Sequence, residues 1–130
     1  MQNLVKAALE VREKAYAPYS RFLVGVAIRG ASGRIYVGAN VENSSFPEGW
    51  CAETSAIGAM IAAGERQIAE VCVAGDSPAP LTPCGGCRQR LAEFGAAATP
   101  VHSVGPQGLR RSFTLGELLP AAFSLESSDD

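Results

Sequence analysis

Two short motifs, far apart in the chain, carry three cysteines and a glutamate that make chemical sense only together. The first is Cys51-Ala52-Glu53 and the second is Pro83-Cys84-Gly85-Gly86-Cys87. Each leads into a helical pattern, so a fold that joins them sets two helix N-termini side by side. Three thiolates can hold a zinc ion by three bonds and leave the fourth tetrahedral position open to water. An open position beside a carboxylate is the mark of a hydrolytic site rather than a structural clip.

The rest of the composition narrows the setting. With 130 residues, 47% of them hydrophobic, the chain can build one core without staples. Its net charge of -2 and lack of a basic run argue against a polymeric nucleic-acid partner. The four cysteines are not spaced like a secreted disulfide framework, and two of them form CxxC. There is no charged-then-apolar leader and no apolar stretch of membrane length. The expected setting is the reducing cytoplasm, with no membrane partner.

Periodicity places the motifs. Leu4, Ala8, Val11 and Ala15 recur at helical spacing and predict a first helix that ends before Pro18. Phe22, Val24, Val26 and Ile28 alternate as a half-buried strand does; Ser32-Gly33 marks a turn, and Ile35, Val37 and Ala39 complete a hairpin. Residues 41–50 read as a polar loop. Ala52, Ala56, Ala59, Met60 and Ala63 then line a helical face that Gly64 stops; being mostly alanine, it suits close backbone contact, in the core or between subunits. Val71-Cys72-Val73-Ala74 reads as a buried strand, and Pro83 as the start of a helix with Cys84, Cys87, Leu91 and Phe94 on one face. Pro100 to Val104 and Phe113 to Leu115 are expected strands, followed by a short helix near Glu117 to Leu119. The alternation predicts a three-layer α/β domain with a mixed sheet over residues 1–123, and a frayed acidic tail over 124–130.

Cysteines at i and i+3 on a first helical turn point the same way, and the free N–H groups of a helix N-terminus favour their thiolates. Cys51, opening its own helix, gains likewise. This donor set favours a soft metal ion, with tetrahedral zinc the default, one per chain. Three thiolates and Zn²⁺ sum to about -1, and two helix ends of about +0.5 each offset much of that excess. Glu53 is placed to take a proton from water and return it to a substrate. Blander readings stand beside this one. Cys72 would make a closed four-cysteine site, although its valine neighbours suit an inert core thiol better. The CxxC alone would serve as a redox pair, which leaves Cys51-Ala52-Glu53 unexplained. His102 lies far along the chain and reads as an ordinary strand or surface histidine, and Glu53 as a first-turn glutamate favoured by the helix dipole is the lesser reading.

Taken together, the motifs resemble the zinc-dependent cytidine deaminases of the small homotetrameric type. Cys51-Ala52-Glu53 and Pro83-Cys84-Gly85-Gly86-Cys87-Arg88-Gln89 carry the likeness, with Ala17-Pro18-Tyr19-Ser20, Phe22, Val24 and Gly25 similar to the N-terminal signature of that family. Asn40-Val41-Glu42-Asn43 is similar to its ribose-binding segment; Glu93-Phe94, Leu118-Leu119-Pro120 and Phe123 fit its C-terminal half. The fold implied is a three-layer α/β/α domain on a mixed five-stranded sheet. The resemblance implies Cys51, Cys84 and Cys87 on zinc and Glu53 as the proton shuttle. It puts Phe22 against the pyrimidine and the backbone at Ala52 and Cys84 on the polar edge of the base. Asn40 and Glu42 would hold the ribose 3′-hydroxyl; their i, i+2 spacing sends both side chains to one side of an extended segment, whereas the plain alternative is a polar loop. Neighbouring subunits would add the backbone near Ser44 and the rings of Phe46 and Phe123, two rings that also suit ordinary core or interface positions. The implied reaction is hydrolysis of cytidine and 2′-deoxycytidine to uridine and 2′-deoxyuridine with release of ammonia, a pyrimidine-salvage step that needs no organic cofactor.

Two positions depart from the pattern. Thr54 stands where the family usually has an arginine that drains charge from the zinc thiolates. The expected substitutes are helix N–H groups with the Thr54 hydroxyl, and Arg88 is the nearest cation along the chain. Trp50 stands where a smaller aliphatic residue is usual, and reads either as a wall beside the metal or a subunit contact, or as core. Rival functions are deamination of free cytosine or a modified nucleoside, a closed structural zinc in a binding module, and editing of polynucleotides, which the acidic charge disfavours.

Overall fold

A computed structural model describes residues 1–125, so most of the expected acidic tail lies outside the described residues. The elements are α1 (Gln2–Arg12), β1 (Val24–Gly30), β2 (Ile35–Ala39), α2 (Ala52–Ala62), β3 (Ile68–Gly75), α3 (Gly85–Phe94), β4 (Pro100–Gly105), β5 (Gly108–Thr114) and α4 (Leu115–Leu118), with a 3₁₀ turn at Phe46–Glu48. The strands form one sheet in the order β2-β1-β3-β4-β5. Only β3 and β4 run parallel; the other neighbours are antiparallel. A parallel pair needs a crossover, and α3 supplies it.

Two apolar clusters show the layers. On one face Leu4 and Ala8 of α1 pack on Ala27, Cys72, Ala74 and Val104. On the other, Ala56 and Met60 of α2 and Leu91 of α3 pack on Val26, Ile28, Val71, Val73 and Val101. The architecture is thus three-layer α/β/α on a mixed five-stranded sheet, as expected. With both faces covered, β1 is not half-buried as its alternation suggests: Val26, Ala27 and Ile28 are all buried.

Two glycines let the helices lie this close. A Cβ on Gly25 would fall 2.2 Å from the Ala8 carbonyl oxygen of α1. One on Gly38 would fall 2.3 Å from the Ala56 nitrogen and 2.6 Å from the Ala52 oxygen of α2. The alanines of α2 therefore serve the core at Ala52 and Ala56, whereas Ala59 and Ala63 are exposed. The buried face is Ala52, Glu53, Ala56, Ile57 and Met60.

Several boundaries differ from expectation. The first helix stops at Arg12 because Tyr16 leaves it for a strand-like bridge: its N–H donates to the Asn40 carbonyl at 2.9 Å, and its carbonyl accepts from the Glu42 N–H at 2.8 Å. The first strand starts at Val24, after Arg21 turns the chain with a left-handed φ of 61°. The helix after Pro83 begins at Gly85, with Cys84 as its N-cap. The last strand covers Gly108–Thr114 rather than Phe113 to Leu115, and α4 starts at Leu115 behind a capping box of Thr114 and Glu117.

Candidate active site

Packing of α2 on Gly38 and of α3 on the same sheet face brings the two helix starts together. Cys51 is the N-cap of α2, Cys84 the N-cap of α3, and Cys87 lies in the first turn of α3. Their three Sγ atoms all lie within 4.8 Å of one another. Tetrahedral corners set by Zn–S bonds of about 2.3 Å are roughly 3.8 Å apart, so the donor set fits zinc in number, softness and spacing. Cys51 and Cys84 are exposed and Cys87 is buried. The Cys87 backbone N–H holds the Cys84 thiol below its ordinary pKa. Burial pushes the Cys51 and Cys87 thiols up, and the nearby Glu53 charge adds to both. Such crowding of acidic groups is what a bound dication reverses.

Cys72 is no fourth ligand. It sits in the α1 layer, across the sheet from the cluster, and burial pushes its thiol up to about 12. His102 is also a structural residue, with its ring bonded to Glu70 at 2.6 Å and to Ser112 at 2.7 Å.

Glu53 follows Ala52 into the first turn of α2 and is only 5% exposed. Burial raises its carboxyl above the ordinary range. A cavity of about 190 Å³ opens beside it, lined by Asn40, Cys51, Ala52, Glu53 and Cys84, with Val24 and Leu81 as apolar walls. A wider trough of about 510 Å³ lies next to it and shares Asn40 and Cys51 with the cavity. Tyr19, Ser20, Glu42, Phe46 and Trp50 line the trough.

Asn40 and Glu42 do border these spaces, and both are also tied to the chain's own backbone. Asn40 accepts from the Val24 N–H at 2.9 Å and donates to the Phe22 carbonyl at 2.9 Å. Glu42 accepts from the N–H groups of Tyr19 at 2.9 Å and Ser20 at 3.1 Å, and from the Ser20 hydroxyl. The Ser20 contacts hold its carboxyl below the usual carboxylate range. Together the two side chains fix the segment that carries Phe22. That ring is half-exposed, points its edge at Gly75, and lines neither cavity within one chain.

The residues expected from neighbouring subunits are all on the surface. Ser44 is exposed, Phe46 is 77% exposed, and Phe123 is 69% exposed with its carbonyl held by Gln89 at 3.0 Å. Phe46 meets Tyr19 edge-on at 6.1 Å. Trp50 is exposed on the trough rather than part of the core.

Of the expected charge-balancing groups, a helix N–H is present, that of Cys87 on Cys84. Arg88 does not face the thiols. It donates to the Pro83 carbonyl at 2.7 Å, the Leu118 carbonyl at 2.8 Å and Thr82 Oγ1 at 3.0 Å, and so clamps the loop before Cys84 to α4. Arg90 is the cation at the cluster, with a guanidinium nitrogen 3.7 Å from Cys87 Sγ. Its spacing of three residues from Cys87 was a readable signal, masked by how ordinary an arginine is on a helix surface. Leu81 and Thr82, which also line the inner cavity, carry no signal in the sequence.

Comparison with known proteins agrees with this geometry. Residues 1–103 match the family model described as the cytidine and deoxycytidylate deaminase zinc-binding region. A cytidine deaminase of Halalkalibacterium halodurans is 42% identical over 99% of this chain and 98% of its own. One from Sporosarcina psychrophila is 39% identical over 97% of this chain and 93% of its own. Among solved structures, the cytidine deaminase of Burkholderia pseudomallei superposes with a TM-score of 0.89 at 43% identity, covering 94% of this chain and 98% of that one. Two helices that start at cysteines beside a buried glutamate, on this sheet and in a chain matched almost end to end, place the protein in the zinc-dependent cytidine and deoxycytidylate deaminase family.

Proposed function

We propose that the protein hydrolyses cytidine and 2′-deoxycytidine to the uridine nucleosides, releasing ammonia, with Cys51, Cys84 and Cys87 holding one zinc ion. The observation that carries this reading is the placement of the three thiols and the buried Glu53 on one small cavity that widens into a polar-edged trough. Zinc, when bound, supplies a Lewis acid that brings the pKa of water down toward neutrality. Glu53 takes a proton from the attacking water and delivers it to ring N3, which leaves C4 open to attack. The water oxygen bonds C4; Glu53 then carries the proton of the new C4 hydroxyl to the amino group, the C4–N bond breaks, and ammonia departs to leave the C4 carbonyl, as in the general scheme of zinc deaminases. Glu53 is 5% exposed and borders the cavity, so it is screened from bulk water, which suits a group that passes a proton between water and substrate. The cavity of about 190 Å³ suits a single base, and Asn40 and Glu42 stand where a sugar would leave it.

The assembled enzyme is read as a homotetramer. Exposed rings of Tyr19, Phe46 and Trp50 line the trough, and those of Tyr16 and Phe123 are also exposed, which supports a surface that meets other chains. In that assembly Ser44, Phe46 and Phe123 would complete a neighbour's pocket, and Phe22 would cap the base. Residues 1–123 would act as one folded unit, which one sheet shared by both helical layers supports. No helix among the described residues is long and apolar enough to cross a membrane, and a site built on three unpaired thiols suits a reducing cytoplasm.

The test is turnover of cytidine, deoxycytidine and free cytosine by zinc-replete protein, read as loss of absorbance when the amino group leaves. Both nucleosides should turn over, chelation should stop the reaction and zinc should restore it. Inactivity toward both nucleosides, or preference for the free base, would contradict the proposal.

A further inference from the structure

The three-thiolate site needs a counter-charge, and only one cation among the described residues touches its sulfurs. A zinc ion with three thiolates carries about -1 before Glu53 is counted. The Arg90 guanidinium lies 3.7 Å from Cys87 Sγ. No carboxylate among the described residues lies within ion-pair distance of Arg90, although its charge also acts on the buried Glu53 at the same site. Its side chain folds back over the first turn of α3, so closely that a Cβ on Gly86 would fall 3.2 Å from the same nitrogen. Helical side chains lean toward the N-terminus, which explains the reach. A helix N-terminus, however, repels cations. An arginine held over that end therefore needs an anion to offset the repulsion, and a metal–thiolate cluster is one.

We infer that Arg90 is the positioning cation of this metal centre, neutralising the thiolate cluster through Cys87, with Gly86 kept small to let the guanidinium in. The role stands apart from that of Arg88, whose donors are spent on Pro83, Leu118 and Thr82. It also explains how Thr54 is tolerated, since no hydrogen bond from the Thr54 hydroxyl to a cysteine occurs among the described residues. The inference rests on Cys51, Cys84 and Cys87 binding zinc.

The experiment measures zinc affinity and zinc release by competition with a chromogenic chelator. It uses the wild type, Arg90→Met, Arg90→Lys and Cys87→Ser, with thermal melting of the metal-free forms as a folding control. Partners of metal ligands are typically worth 10- to 100-fold in affinity. Arg90→Met should weaken zinc binding by about tenfold or more, and Arg90→Lys should keep most of it, with metal-free melting unchanged in both. Equal affinity in wild type and Arg90→Met would overturn the inference. So would an equal loss in the Met and Lys variants, because the site would then be responding to packing over Gly86 rather than to charge. A wild type that binds no zinc, or a Cys87→Ser variant that binds it as tightly, would instead bring down the three-cysteine reading beneath it.

Discussion

The inner cavity and the outer trough share Asn40 and Cys51 but are built in opposite ways. The chemical groups of the cavity sit on helix starts pressed against the sheet, where close contact with Gly38 fixes α2. The trough is loop, held by the backbone N–H groups of Tyr19 and Ser20 donating to the Glu42 carboxylate, and walled by exposed rings. On the proposed function, the chemical groups would all come from one chain, while the binding surface would need neighbouring chains to complete it. Damage to the first should remove the reaction, and damage to the second should weaken binding and assembly.

The largest effect is expected at the cavity. Cys87→Ala should take bound zinc from one per chain to near zero and turnover to background, measured by metal analysis beside the absorbance assay. Gly38→Ala follows: its Cβ would strike the backbone of α2, and overpacking of this kind costs about 1–3 kcal/mol or more. The shift should appear in thermal melting and lower kcat more than it raises KM, because Cys51 moves with the helix.

Glu42→Gln acts on the trough. It should raise KM by roughly tenfold, the worth of one charge-assisted hydrogen bond, and leave kcat nearly unchanged. The pH dependence follows from the sign of the shift. A carboxyl held below its ordinary value keeps its loop contacts at all pH values above about 4.3 and loses them only as pH falls through the lowered value. In the wild type KM should be flat at neutral pH and climb only in that acid range; in Glu42→Gln this climb should be absent. The smallest effect on a single chain is expected for Phe46→Ala, which is exposed and should move the melting of the monomer by no more than about 0.5 kcal/mol. Sedimentation should nevertheless show weaker self-association.

What the sequence made legible is the locally encoded part. The spacing Cys84-x-x-Cys87, the position of Glu53 after Cys51 and the turn at Gly33 each lie within a few residues, and each keeps its meaning in the fold. The β1–β2 hairpin was readable for the same reason. What escaped depends on distant partners. Burial of both faces of β1 follows from where α1 lands, which Gly25 permits but does not announce. Strand β5 is an exposed edge rich in Arg110, Arg111 and Ser112, so it lacks the alternation that marks a strand facing a core. Asn40 and Glu42 stood out as ligand candidates, yet their bonds to Val24, Phe22, Tyr19 and Ser20 span the fold and show in no local pattern. Arg88 was closer to the thiols in sequence, while the geometry of α3 directs Arg90 to Cys87.

The division of labour at the helix starts is tested most directly by Glu53→Gln, assayed for bound zinc and for cytidine turnover in one preparation. The variant should keep one zinc per chain and the wild-type fold while kcat falls by roughly a thousandfold or more. Turnover near the wild-type rate, or loss of the metal with the carboxylate, would contradict the account.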